Sequence, residues 1–554
     1  MSELDNAAPR PLVGTPIRCL LGLLCFLGGL TFELVYGTRG FMPLDHSIVF
    51  DGGWRILSGQ IPFRDFGMPS ASTPSFIQSV FFWIGGVSWS SYIAHAAVFN
   101  GLFCVLVFGF LARLGLPLKY STLYGIGSGA LLFAPVGVPF PEQHAFFFST
   151  LGLWLFLLAR TCKTSKRAYL ALAMVPTAMA LGFFSKQFPS GLAPLLILAL
   201  LAAPSPRPKR EAVLGLLVGL LVMGLLAVAY LVGFGVQASA VRYALFELPM
   251  GVADMRMSYL PSALDMPAHI LKVGLSQGLW SVAALHILFL AGGAYLLAKR
   301  PRAWAWGAGL FALGELTLLL DVVTIVLANN QDGVGAGWFF LAVGIGHAGL
   351  VFLVQKEALA VRVGRIVGIL LISTLVRDVV SFSSKVNATR IANDMEFDEE
   401  LALRVAPILP ASLSMLQWTV PVHHRYEVED FVAIHDYLQD SPGDFFLIGD
   451  TSILYGLTGR RSILPTAWFH PGVTLPKKGG PGFQAWQQQI LANMQATEDR
   501  DEVLRIVEEK AGTWIGNWRL KDLPVVRKAI TPRIVERVDL GAFLVTELRP
   551  AVPE

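Results

Sequence analysis

Charge is what this sequence has least of. Only 15% of its 554 residues are Asp, Glu, Lys or Arg, against 54% hydrophobic, where a soluble chain of ordinary composition carries about a quarter charged residues. That shortage excludes a typical soluble globular protein. Cysteine is scarce as well. Cys19, Cys25, Cys104 and Cys162 form neither a disulfide framework nor a metal-binding pair. An extended basic patch is missing: the basic residues stand in short clusters between apolar runs, which excludes a nucleic-acid partner. The first apolar run ends without a small-residue cleavage signal, so it is expected to stay as an uncleaved span. No internal repeat is discernible.

What fills the space is hydrocarbon. Apolar runs occupy roughly 17–36, 92–112, 120–135, 143–159, 168–184, 188–203, 212–234, 276–298, 303–328, 334–354 and 364–380, each near the length of a bilayer-crossing helix. Residues 76–90 are apolar but short and suit a helix lying at the membrane interface. The fold class expected is therefore a polytopic α-helical membrane protein of about eleven spans. Orientation follows from Lys and Arg. Arg113 and Lys119, then Arg160, Lys163, Lys166 and Arg167, then Arg207, Lys209 and Arg210, then Lys299, Arg300 and Arg302, then Lys356, Arg362 and Arg365 sit in every second loop. The positive-inside rule then makes the N-terminus cytoplasmic. It puts the 37–91 loop and everything beyond residue 380 on the outer face.

Three acids, Asp45, Asp51 and Asp65, fall in the 41–75 segment together with Trp54, Phe63, Phe66 and three prolines. That density is more than a tether needs. Asp51 and Arg55 are four apart and can pair on a helix, which is a structural reading. The other reading is a partly desolvated carboxylate that takes a proton from an acceptor hydroxyl. Glu142 opens the fourth run after two prolines, either as a partner of the helix dipole or as a second carboxylate on the same side. Lys186 is the one charge in a tight turn between two runs. Its ammonium suits a phosphate or snorkels to headgroups. Arg242 and Arg256, in the 235–275 segment, are further phosphate candidates. Glu315 and Asp321 are intramembrane acids and so candidate functional groups. His423 and His424 lack the additional ligands a metal site needs.

After residue 380 the composition turns soluble. Residues 381–425 read as a linker and 426–554 as a small α/β domain. EVEDFVAIHDYLQD (427–440) reads as a helix, DFFLIGD (444–450) as a buried strand, and SILYGLTGR (452–460) as the next helix. WQQQILANM and DEVLRIVEEK read as helices, TWIGNW as strand-like, and VERVDLGAFLVTELR (535–549) as a terminal hairpin around Leu540–Gly541. Asp450, at a strand end, reads as a helix cap.

Asp45 in PLDHS, the segment DGGWRILSGQIPFRDF, Glu142 and Lys186, taken with their order and sidedness, resemble the GT-C superfamily of polytopic glycosyltransferases. The nearest likeness is to bacterial relatives of the aminoarabinose and protein mannosyl transferases. The resemblance implies a GT-C-like transmembrane module over 1–380, with the catalytic first outer loop at 37–91 and an extracytoplasmic C-terminal domain. It implies a polyprenyl-phosphate-linked sugar as donor and an envelope glycan or lipid as acceptor. By position it makes Asp45 the essential acid, Glu142 the second acid and Lys186 the lysine near the donor phosphate, with Asp51 a further acid candidate. Many members have two adjacent acids where this chain has Asp45–His46, so whether a divalent cation takes part is left open. Two other classes remain: a lipid-linked-sugar flippase, which predicts broken helices meeting at the membrane midplane, and a non-catalytic scaffold for envelope assembly.

Overall fold

The computed structural model describes residues 15–133, 136–162, 164–202, 208–257, 280–299, 305–328, 337–354, 398–419, 427–480, 482–498, 503–510 and 518–550, with isolated positions in 262–272 and 368–396. Seven helices open the chain: α1 (Thr15–Tyr36), α2 (Pro43–Leu57), α3 (Ser72–Gly85), α4 (Trp89–Arg113), α5 (Leu118–Leu131), α6 (Pro141–Thr161) and α7 (Ser165–Ser185). Ala193–Ala202, Lys209–Gly233, Trp280–Lys299, Ala305–Ala328 and Phe339–Val354 continue the helical part.

Among the described residues six helices are long and apolar enough to cross a membrane: α1, α4, α6, α7, Lys209–Gly233, and Gly307–Thr324 within Ala305–Ala328. The runs expected at 120–135, 188–203, 276–298 and 334–354 form helices that are shorter or less apolar than that. The run at 364–380 lies almost wholly outside the described residues, as do His423 and His424. Lys209–Gly233 leaves Leu217, Leu221, Leu225 and Val232 exposed, the surface a helix presents to lipid.

Helices α1, α4 and α5 approach closely through small residues. A Cβ on Gly29 would stand 2.5 Å from Cys104 Sγ, and one on Gly101 would stand 2.7 Å from Phe26 O. Asn100 of α4 uses the closeness: its Nδ2 donates to Gly29 O at 2.8 Å and to Gly129 O at 3.0 Å. Small residues that admit a cross-helix hydrogen bond are how apolar helices associate where hydrophobicity gives no drive.

The C-terminal domain is built on a four-stranded mixed sheet in the order Asp444–Ile448, Leu504–Glu509, Phe543–Leu548, Ile534–Leu540. The first pair is parallel and the others antiparallel. The helices Val428–Asp440, Ile453–Thr458 and Phe483–Glu498 fall as expected. The hairpin turns at Gly541, whose φ of 64° suits glycine. One expectation fails: DEVLRIVEEK is not a helix but carries the central strand Leu504–Glu509, all six residues buried. Its charges, which read as a solvated helix face, are satisfied by tertiary partners. Arg505 Nε donates to Glu547 at 3.1 Å, Glu508 accepts from Leu520 N at 2.8 Å, and Glu509 accepts from Asp450 N at 2.8 Å and Thr451 Oγ1 at 3.0 Å. Ser452, not Asp450, is the N-cap residue of Ile453–Thr458. TWIGNW lies almost wholly outside the described residues.

Candidate functional site

The segment between α1 and α4 folds as two helices joined by a tight loop. Pro43, at the first position of α2, has the fixed φ a helix start needs, and Asp45 follows in the first turn, half-buried. Asp45 lies within electrostatic reach of Tyr92 of α4. The neighbour His46 turns the other way. It is fully buried against Trp89, ring centroids 5.8 Å apart, and its Nδ1 accepts from Met42 N at 3.1 Å.

Asp51 lies deeper on α2. It and Arg55 are both fully buried, with Nε 2.8 Å from Oδ2. Arg55 also donates to Leu464 O at 2.9 Å and to Ser462 Oγ, and lies over the rings of Phe66 and Tyr455. Trp54 Nε1 donates to Arg460 O at 2.8 Å and Gln60 Nε2 to Ser462 O at 3.0 Å. Gly67 N donates to Pro465 O at 2.8 Å and Ala467 N to Gly67 O at 2.9 Å. The strap 460–467 of the C-terminal domain is thus bonded to α2 and the loop after it. The structural reading of Asp51, an i to i+4 ion pair, is the one its geometry supports. Burial pushes the Asp51 carboxyl up to about 6 against the pull of Arg55. Asp65 is a loop staple: it is partly buried, yet the Arg64 guanidinium, 2.8 Å away, and Ile61 N–H, 2.7 Å away, hold its carboxyl below the ordinary range.

Glu142 and Lys186, 44 positions apart in sequence, form an ion pair. Glu142 stands in the first turn of α6 behind Pro141 and is almost fully buried, and Lys186 ends α7 with its side chain 22% exposed. The pair therefore opens to the surface from the lysine side. Three hydrogen bonds bring the loop before α3 to this turn. Ala71 N donates to Ser185 O at 2.7 Å, Gln187 Nε2 to Pro69 O at 2.6 Å, and Thr73 Oγ1 to Leu181 O at 2.8 Å. Ala71 holds φ of 69° here, a costly conformation for alanine that surrounding contacts must enforce and that clusters at functional sites. Below, Ser149 and Ser190 share a hydrogen bond of 3.0 Å, tying α6 to the turn after Lys186.

Tyr92 and His95 are three apart on α4, hence on one face. His95 Nε2 lies 2.8 Å from Nε2 of His144, two residues past Glu142 on α6. Arg242 pairs with Glu247 at 2.9 Å, both well exposed. The π-helical turn between them, Tyr243–Glu247, reaches Gln187 through Leu245 O at 3.4 Å, so Arg242 borders the lysine turn without joining the pair. Arg256 is on the helix Leu248–Met257, but its side chain lies outside the described residues. Of the intramembrane acids, Asp321 accepts from Trp338 N at 3.0 Å and Glu315 lies 2.6 Å from His286.

Among the described residues no group of three or more His, Cys, Asp and Glu side chains converges as metal ligands do. An apolar cavity of about 300 Å³ opens between the α2–α3 connection and the helix Lys209–Gly233, lined by Ile56, Ile61, Pro62, Phe76, Tyr230 and Phe234. The strap 460–467, Gln78 and His95 carry no signature in sequence. His95 is one polar residue in an apolar run, and its partner is 49 positions away.

No protein-family model matches the chain, and no curated protein sequence does either. Among solved structures it is similar to the apo oligosaccharyltransferase of Archaeoglobus fulgidus, at 10% identity and a TM-score of 0.47, over 94% of this chain and 73% of that one. It is similar also to ArnT from Cupriavidus metallidurans bound to undecaprenyl phosphate, at 11% identity and a TM-score of 0.46, over 98% of this chain and 100% of that one. With the apo state of that ArnT the TM-score is 0.39 at 11% identity, over 96% and 99% of the two chains.

Proposed function

We propose that this chain is a GT-C-type glycosyltransferase that moves a sugar from a polyprenyl-phosphate carrier to an envelope glycan or lipid on the periplasmic face of the membrane. The observation that carries the reading is the Glu142–Lys186 pair, opening at its lysine side beside the loop in which Ala71 holds a left-handed φ.

The chemistry follows from those groups. An incoming phosphate draws the Lys186 ammonium from Glu142, and the cation then neutralises the charge that grows on the leaving phosphate. Asp45 takes the proton of the acceptor hydroxyl. The acceptor oxygen forms its bond to the anomeric carbon as the bond from that carbon to the phosphate oxygen breaks, with inversion. The sugar ends on the acceptor, the electron pair on the lipid phosphate and the proton on Asp45. Glu142 orients the lysine in the resting state. Asp51 takes no part, because Arg55 and the 460–467 strap enclose it. The apolar lining of the cavity beside Tyr230 suits an isoprenoid or acyl chain.

The test is sugar transfer by membranes holding wild type or Asp45→Asn at equal level, supplied with extracted polyprenyl-phosphate sugars. Transfer by wild type and none by the variant supports the reading. Equal transfer removes Asp45 from its role. No transfer with any donor turns the case toward a flippase or a scaffold.

A further inference from the structure

Three side chains from three helices form one buried hydrogen-bonded chain behind Glu142. Gln78 Oε1 of α3 lies 2.9 Å from His95 Nδ1, His95 Nε2 lies 2.8 Å from His144 Nε2, and His144 Nδ1 lies 2.8 Å from Phe140 O. All three are fully buried. Phe81 stacks on His95 at 5.0 Å, and Phe99 and Phe133 sit 5.0 Å and 5.4 Å from His144. The sheath is aromatic.

The proton order is dictated from one end. Phe140 O only accepts, so His144 Nδ1 donates and its Nε2 accepts. His95 Nε2 must then carry the one proton between the rings, which leaves Nδ1 as an acceptor. The structure sets Gln78 Oε1 toward this acceptor; exchanging the amide's oxygen and nitrogen, which leaves the side chain's shape unchanged, presents the NH2 and completes the chain. With two neutral imidazoles every link is satisfied and no charge is buried.

The chain's ends are its purpose. One end is α3, whose start is bonded to the Lys186 turn. The other is Phe140, the residue that caps α6 one position before Pro141 and two before Glu142. We propose that Gln78, His95 and His144 are positioning residues, a strut that fixes the first turn of α6, and so Glu142, against the loop that frames Lys186. This rests on the transfer reading for its purpose and on hydrogen-bond geometry for its existence. Neither histidine touches substrate. Either would act through Glu142.

Two substitutions separate positioning from chemistry. His95→Gln keeps an N–H donor near the Nε2 position, while His95→Phe removes it. Gln78→Met breaks the other end and leaves both rings. The probe is amide hydrogen exchange of the intact protein over residues 140–148, read beside transfer kinetics. His95→Phe is expected to speed exchange of the first α6 amides at least about tenfold, and to lower kcat about tenfold or more with KM for the lipid donor within about twofold. Gln78→Met should shift both in the same direction, less far. His95→Gln should stay within about twofold of wild type in exchange and kcat. Unchanged exchange in both His95→Phe and Gln78→Met overturns the strut. Equal damage by His95→Gln and His95→Phe also overturns it, because an imidazole-specific role would then be required. Exchange that responds as expected, in a protein that transfers no sugar, supports the strut and counts against the transfer reading alone.

Discussion

Arg55 reaches Asp51 one turn back on its own helix and Leu464 O, 409 residues onward, at nearly equal distances of 2.8 Å and 2.9 Å. One guanidinium thus joins the α2 helix to the C-terminal domain, and the carboxylate that balances it is sealed from water.

That sealing makes Asp51 a reporter of pH. Burial lifts its carboxyl from an ordinary 3.8 to about 6, with Arg55 pulling the other way. A group that binds its proton more tightly when folded stabilises the fold fully below its unfolded pKa, and the contribution is lost as pH rises through the folded value. Stability of the solubilised protein should fall by roughly 3 kcal/mol on this account between about pH 4 and about pH 6. Asp51→Asn should flatten that part of the profile in thermal unfolding. An identical profile in the variant would show that the pH dependence arises elsewhere.

Lys186 is expected to respond to substitution as a phosphate partner. Lys186→Met should cut kcat/KM for the lipid donor by about 10²–10³, the usual effect of removing one transition-state charge contact. Lys186→Arg should keep activity to within about tenfold, since it keeps the charge but not the compact shape. Steady-state kinetics with a polyprenyl-phosphate sugar decides. A Met variant as active as wild type leaves the Glu142–Lys186 pair purely structural.

Gly456 lies where the domain helix Ile453–Thr458 crosses α2. A Cβ there would stand 2.8 Å from Phe50 Cε1 and 3.2 Å from Trp54 Cβ. Gly456→Leu should cost about 1–3 kcal/mol by overpacking and lower transfer, with Gly456→Ala between it and wild type. Unfolding curves and turnover per folded molecule, measured together, test this. A leucine variant with wild-type turnover would mean that contact between helix and domain does not matter to the site.

Asp321 is buried and accepts the Trp338 N–H at 3.0 Å, while Trp338 Nε1 donates to Thr150 Oγ1 at 2.9 Å. Asp321→Leu orphans a buried donor and should destabilise by about 1–3 kcal/mol. Asp321→Asn keeps an acceptor and should lose less. Neither should change transfer per folded molecule. A selective loss of turnover in the Asn variant would return Asp321 to the list of functional acids.

Much of this architecture is legible in the sequence because its forces are local. Run length marks helices α1, α4, α6 and α7, and the i to i+4 spacing marks Asp51–Arg55. Alternation and glycine mark the terminal hairpin. Leu504–Glu509 is misread because Arg505, Glu508 and Glu509 look solvated until residues at 450, 520 and 547 are brought to them. The site divides in the same way. Glu142 and Lys186 are visible singly as charges at helix ends, but their pairing depends on α6 and α7 lying antiparallel. His95 and Gln78 are invisible, since a polar residue in an apolar run does not name its partner.

The bonds from Arg55 to Ser462 and Leu464, and from Trp54 to Arg460, span 407, 409 and 406 residues. During synthesis the ribosome therefore completes the Asp45 helix long before it makes the strap that covers it. Until that later portion has been made, Arg55 lacks two of its acceptors. The α2 helix reaches its final bonding only when residues 460–467 arrive, and quality control that probes α2 would in effect be checking that synthesis has passed them.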